Sequence, residues 1–143
     1  MKAQNYLFLL FAVLILSISL VSAELSFSNP PTLSKTEGAN TATIDITTTI
    51  DTLAGENITF SLNPTTRTYN GKSITFTSVT PNPVLGLNST SSPETITINY
   101  TVQAGFEFDF GQEYKTTLTA IGNISGTKTQ VLSFEQTDYC GSK

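Results

Sequence analysis

The sequence predicts an all-β protein: a two-sheet β-sandwich of about seven antiparallel strands, preceded by an N-terminal signal-peptide helix. Three observations support this fold class. Apolar and polar residues alternate in short runs, which is the period of a strand with one buried face. Asn, Gly and Pro separate these runs, as turns require. Thr and Ser make up 37 of the 120 residues that follow Ala23, and Thr favours strands over helices.

Residues 1–23 have the layout of a secretory signal peptide. Lys2 is followed by an apolar run over residues 6–21 and by the small residues Ser22 and Ala23, so we expect cleavage after Ala23. An uncleaved anchor is the alternative, but the uninterrupted apolar stretch, residues 7–16, is shorter than the roughly 20 residues that span a bilayer. We therefore expect a secreted protein, extracellular or at the cell surface, that meets the membrane only through this segment before cleavage.

Residues 24–143 are expected to form a single β-domain, because a chain of this length buries enough surface for one core. The full sequence has a net charge of −4, and removal of Lys2 with the signal makes it one unit more negative. The few basic residues are scattered singly along the chain, which argues against a nucleic-acid partner.

The strands follow one another in a regular order. A short leading strand contains Leu25 and Phe27, and the others are predicted at residues 41–50, 56–62, 73–79, 94–103, 113–121 and 127–135. Asn70-Gly71 has the composition of a tight hairpin turn. The long connection over residues 81–93 holds three prolines and is expected to cross between the two sheets.

One stretch resembles a known family. Phe-Gly-Gln-Glu-Tyr at residues 110–114, followed by Leu118, Ala120 and a turn at 122–126, resembles the corner and last two strands of fibronectin type III and related immunoglobulin-like domains. The resemblance implies an immunoglobulin-like two-sheet β-sandwich and gives Tyr114 the role of the tyrosine corner. The chain departs from the family in lacking the core tryptophan and the paired cysteines.

The signal peptide followed by a sandwich rich in Thr and Asn is also similar to immunoglobulin-like domains of prokaryotic, especially archaeal, cell-surface proteins. This resemblance implies a domain of a secreted cell-surface protein.

The composition excludes the commonest catalytic groups. With no histidine and one cysteine, the chain has no Ser-His-Asp or Cys-His pair, no intrachain disulfide and no Cys-rich metal site. Glu107, Asp109 and Glu113 lie close in sequence and are candidate calcium ligands, but Phe and acid alternate there as they do in a half-buried strand. We expect no enzyme activity, no cofactor and no metal.

Four sequences match the acceptor pattern for N-linked glycans. They begin at Asn57, Asn88, Asn99 and Asn123. Asn88 and Asn123 fall in predicted loops and are favoured, whereas Asn57 opens a strand and Asn99 lies within one.

Cys140 is unpaired in a chain that we expect to be secreted, which makes it a candidate for an intermolecular disulfide; a free thiol without a role is the alternative. A homo-oligomer is thus one possible state of the protein.

The sequence supports two functional hypotheses. The first is a secreted, glycosylated, non-catalytic immunoglobulin-like module with a structural, adhesive or interaction role at the cell surface, whose partners are other surface proteins or glycans. The second is a subunit of an extracellular filament in which residues 24–28 leave their own sheet and complete the sheet of a neighbour.

Overall fold

The computed structural model describes residues 23–28, 30–108 and 114–134. These residues form nine strands and no helix: β1 (Leu25–Ser28), β2 (Gly38–Thr48), β3 (Glu56–Asn63), β4 (Thr66–Tyr69), β5 (Lys72–Thr80), β6 (Val84–Leu87), β7 (Glu94–Val102), β8 (Lys115–Gly122) and β9 (Gly126–Ser133).

The strands form two antiparallel sheets. One has five strands in the order β1-β2-β7-β5-β4, and the other has four in the order β6-β3-β8-β9. The predicted all-β fold class is confirmed, and each of the seven predicted strands has a counterpart. The structure adds two short strands, β4 and β6.

Both additional strands lack the alternation that marks the others. β4 reads Thr-Arg-Thr-Tyr, without an aliphatic residue, and pairs with β5 across the predicted Asn70-Gly71 turn. Both turn residues have positive φ, 47° for Asn70 and 72° for Gly71, as a two-residue hairpin turn requires. β6 lies inside the connection 81–93, which does pass from one sheet to the other and back.

The core lies between the sheets because each strand turns its apolar residues inward. On the five-stranded side, Ile46 and Ile98 are fully buried, and on the four-stranded side Leu118 is as well. The ring of Tyr100 in β7 meets that of Phe134, just after β9, edge to face at 5.9 Å between centroids. Aromatic packing therefore joins the two sheets.

The segment after β1 closes one side of the sandwich. It leaves the edge of the five-stranded sheet and reaches β9, where the amide of Leu33 donates to the carbonyl of Ser133 at 3.0 Å. The hydroxyl of Tyr100 accepts from the amide of Ser34 at 2.7 Å and donates to its carbonyl at 3.3 Å. Burial raises the pKa of Tyr100 above its usual 10.0. These two bonds fix the segment that contains Leu33 and Ser34, which we call the crossing segment.

Candidate interaction surface

A buried carboxylate organises one end of the sandwich. Glu56, the first residue of β3, has no exposed surface. Its Oε1 accepts hydrogen bonds from the amides of Ile124 (3.2 Å) and Ser125 (2.8 Å) and from the Ser125 hydroxyl (2.6 Å). Its Oε2 accepts from the hydroxyl of Thr48 at 3.3 Å. The carboxylate thus ties the β8–β9 turn and the end of β2 to β3, and we call this the Glu56 end.

Two glycines are required by the close packing around this carboxylate. A Cβ on Gly122 would collide with Glu56 Oε1, so only glycine lets the carboxylate approach the end of β8. A Cβ on Gly55, which has φ of 65°, would collide with the backbone of Gly86. The β2–β3 loop therefore lies directly against β6.

Two asparagines continue the network outward. The amide of Asn57 donates to Asn123 Oδ1 at 2.8 Å, and the amide of Asn123 donates to the Asn57 carbonyl at 3.2 Å. Asn57 Oδ1 accepts from the amide of Gly86 at 3.1 Å. These bonds join β3, β6 and the β8–β9 turn, so the segments at this end have fixed relative positions.

Three large apolar side chains protrude from this fixed end, and we call them the apolar patch. They are Leu53 (105% exposed), Leu85 (72%) and Ile124 (54%). Leu53 lies two residues before Gly55, and Leu85 lies one residue before Gly86, against which Gly55 packs. The amide of Ile124 donates to Glu56 Oε1. Single exposed apolar residues are ordinary, whereas three of them at one end of the sandwich make this end the candidate interaction surface.

The same side of the molecule carries the remaining large exposed apolar residues of the described chain. Ile121 in β8 is 50% exposed and Val131 in β9 is 48% exposed, and both point outward from the four-stranded sheet. In the part of the chain that the structure describes, the five-stranded sheet exposes no large apolar residue.

The outer face of the five-stranded sheet, here the hydroxyl face, pairs its polar groups internally. The Thr95 hydroxyl donates to Asp45 Oδ1 at 2.6 Å, and Asn99 Nδ2 donates to the Ser78 hydroxyl at 3.0 Å. The Thr77 hydroxyl donates to the Asn99 carbonyl at 3.0 Å. Side chains that satisfy one another in this way have fewer groups to offer a partner.

The structure brings together two of the predicted glycan acceptors. Asn57 and Asn123 are exposed neighbours at the Glu56 end. Asn88 is half-buried in the β6–β7 loop, and its Oδ1 accepts from the amides of Thr90 and Ser91, each at 2.9 Å. Asn99 is half-buried in the middle of the five-stranded sheet. Glycan occupancy at all four stays a prediction.

Tyr114 lies directly before β8. Its ring meets Phe106 at 5.3 Å and Phe108 at 5.1 Å, both edge to face. The predicted tyrosine corner depends on the loop before this residue, and residues 109–113 lie outside the described ranges, so that role stays a prediction. A tyrosine hydroxyl that does bind a distant segment is that of Tyr100.

Several other predicted sites fall wholly or partly outside the described residues. Glu107 is exposed, but Asp109 and Glu113 are not described, so the calcium hypothesis stays a prediction. In the described ranges, no group of three or more acidic, Cys or His residues is placed to hold a metal ion. Cys140 and signal residues 1–22 also lie outside, and Ala23 is the first described residue.

Sequence reasoning missed Glu56 as an organising residue. The signal was present, because Glu56 lies two and four residues before Ile58 and Phe60 and so shares their inward face. An acid on the apolar face of a strand needs hydrogen-bond donors inside the fold. The sequence did not reveal that the donors come from a turn 68 and 69 residues away.

The described ranges also contain no helix with the length and hydropathy needed to cross a bilayer.

Comparison with known proteins leaves the family open. No protein-family model matches the sequence, and neither does any curated protein. Among solved structures, the chain is similar to the solution NMR structure of a lipoprotein from Bacteroides thetaiotaomicron, with a TM-score of 0.41 and 11% identity over 80% of this chain and 82% of that chain. A likeness of this degree carries no argument about function.

Proposed function

We propose that this protein is a secreted, glycosylated, non-catalytic immunoglobulin-like module with an adhesive or structural role at the cell surface. It acts by binding other surface proteins or glycans, with the apolar patch as its contact site. The observation that carries the proposal is the patch itself: three exposed aliphatic side chains on three segments of the Glu56 end. The segments of Leu85 and Ile124 are joined through Asn57 and Glu56, and the loop of Leu53 lies against Gly86.

The strand order supports the immunoglobulin-like assignment. The order β1-β2-β7-β5 in one sheet and β3-β8-β9 in the other corresponds to strands A-B-E-D and C-F-G of the constant-type immunoglobulin sandwich. β4 and β6 are then additions at the sheet edges. Contacts through loops at one end of the sandwich are a common use of this architecture.

A fixed patch favours binding for two reasons. Burying one exposed leucine or isoleucine against a partner contributes about 1.5–3 kcal/mol, and three such residues can act as the centre of an interface. The loops that carry them are already ordered by hydrogen bonds, so binding does not have to order them again.

The test is binding of the labelled protein, produced without N-linked glycans so that none can shield the apolar patch, to intact cells of the source organism. The variant L53S/L85S/I124S should lose binding, because it removes the apolar side chains and keeps the Glu56 network. The matched control T41S/T43S/T101S changes three exposed threonines of the hydroxyl face and should bind like wild type. Equal binding by the patch variant, or fractionation of the native protein with the cytoplasm, would contradict the proposal.

A specific observation favours the filament alternative as a second candidate. β1 is an edge strand of four residues, and its Leu25 is only 3% exposed, so it fills part of the core. The same strand from a neighbouring copy would fill the same place. The hinge would have to lie between β1 and Leu33, because Leu33 and Ser34 are bonded to β9 and Tyr100.

Deletion of residues 24–28 tests this alternative. It should abolish polymers and leave a folded monomer, as measured by size-exclusion chromatography and circular dichroism. Polymers that survive the deletion would rule out exchange of β1.

A further inference from the structure

Asn57 is hydrogen-bonded to the two segments that carry Leu85 and Ile124. Its side-chain oxygen accepts from the amide of Gly86, the residue after Leu85, and its backbone bonds to Asn123, the residue before Ile124. Asn57 therefore lies between the chain segments of Leu85 and Ile124. A group attached to its side chain starts beside these two residues.

The side chain of Asn57 is also oriented for attachment. It is exposed, and because Oδ1 is fixed by the Gly86 amide, the other branch of the planar amide, Nδ2, points away from that bond. Thr59, the third residue of the acceptor sequence, is exposed on the same outward face of β3. By contrast, Asn99 uses its Nδ2 in a bond to Ser78 within the hydroxyl face.

We propose that an N-linked glycan on Asn57 covers the apolar patch and thereby controls access of a partner to it. This inference rests on the proposed function, since it concerns the same surface. In the attachment step, Asn57 Nδ2 bonds to C1 of the first sugar of a polyprenyl-phosphate-linked oligosaccharide. The polyprenyl phosphate leaves from C1, and a base of the transferase takes up the proton that Nδ2 loses.

The chemistry of the sugar suits the patch. The C–H faces of a pyranose ring are apolar and pack on aliphatic side chains, so covering Leu85 and Ile124 removes apolar surface from water. Because the glycan is tethered, this contact forms at high effective concentration. A chain that lacks the glycan exposes the patch to a partner.

The test compares wild type with two substitutions of Thr59 in the protein secreted by its native host. T59V destroys the acceptor sequence and leaves Asn57 and its bonds intact, whereas the matched control T59S keeps the acceptor sequence. The hydroxyl of Thr59 makes only a long bond, 3.5 Å to the Ile121 carbonyl, so both variants should fold, as circular dichroism will verify. Intact mass and peptide mapping report the glycan, and fluorescence of the dye ANS reports exposed apolar surface.

Wild type and T59S should carry a glycan on Asn57 and bind little ANS. T59V should lose the mass of one glycan and gain ANS fluorescence, and adding L85S and I124S to T59V should abolish that gain. Absence of a glycan on Asn57 in wild type, or equal ANS fluorescence of wild type and T59V, would overturn the inference.

Failure of the inference is distinguishable from failure of the proposed function. If T59V and wild type give equal ANS fluorescence while L53S/L85S/I124S still loses cell binding, only glycan control of the patch is wrong. If L53S/L85S/I124S binds cells as wild type does, the proposed function is wrong, whatever the state of Asn57.

Discussion

The outer faces of the two sheets arise from the same strand alternation but expose different chemistry. On the hydroxyl face of the five-stranded sheet, groups such as Thr95 and Asp45 bond to one another. The four-stranded side exposes Ile121 and Val131, and the apolar patch lies at its end. Alternation thus determines which residues point outward, and the outward residues themselves determine which face is suited to a partner.

The largest loss of stability should come from substitution of Glu56, which organises the end that carries the apolar patch. Glu56→Ala leaves the amides of Ile124 and Ser125 without their acceptor inside the fold, and we expect it to lower the free energy of unfolding by about 3 kcal/mol. Urea denaturation measures the loss. Glu56→Gln keeps one acceptor oxygen and should lose less stability than Glu56→Ala. Equal stability of Glu56→Ala and wild type would contradict the role of Glu56.

The second largest effect should come from Tyr100, which fixes the crossing segment that closes one side of the sandwich. Tyr100→Phe removes both bonds to Ser34 and should cost about 1–2 kcal/mol at neutral pH. Thermal unfolding at pH 7 measures this loss. A melting temperature equal to that of wild type would show that the bonds do not hold the segment.

Tyr100 should also make stability depend on alkaline pH. Because burial raises its pKa in the folded state above the usual 10.0, the folded protein keeps the proton longer than the unfolded chain does. The stabilisation is fully present below that value and is lost as pH rises through the raised pKa. The difference in melting temperature between wild type and Tyr100→Phe should therefore shrink above pH 10. A difference that stays constant would contradict a raised pKa of Tyr100 in the folded state.

A smaller effect is expected on the hydroxyl face. Asp45→Ala removes the acceptor of the Thr95 hydroxyl at a site open to solvent, and we expect a loss of about 0.5 kcal/mol. Urea denaturation should separate this variant clearly from Glu56→Ala. A loss of unfolding free energy as large as that of Glu56→Ala would show that the hydroxyl face contributes as much to stability as the Glu56 end does.

The smallest effect on stability should come from the apolar patch. The variant L53S/L85S/I124S changes only exposed side chains, so the free energy of unfolding should stay within about 0.5 kcal/mol of wild type. Urea denaturation checks this expectation. A large loss would mean that these side chains serve the fold and not a partner.

Much of the fold follows from the sequence because burying one face of a sheet imposes a period of two residues. That period located seven strands, and the Asn-Gly composition located the turn at Asn70-Gly71. The period could not locate β4, whose half-buried residues are Arg67 and Tyr69 and not aliphatic ones, or β6, which is four residues long. Short edge strands are defined by the strand they pair with, and that partner is not read from local sequence.

Less of the candidate site could be predicted, because its contacts are long-range. The bond between Asn57 and Asn123 joins residues 66 apart in sequence. Local patterns identified each as a glycan acceptor but gave no reason to place them side by side. The patch side chains likewise come from three separate segments, and only the tertiary structure groups them.

The central claim is that this protein meets its partner through the patch and not through the hydroxyl face. Hydroxyl-radical footprinting of the protein, produced without N-linked glycans and bound to intact cells, tests it most directly when it is read by peptide mass spectrometry. We predict protection of Leu53, Leu85 and Ile124 on binding, with the peptide that holds Thr41 and Thr43 labelled as in the free protein. Protection of that peptide together with an unprotected patch would contradict the account.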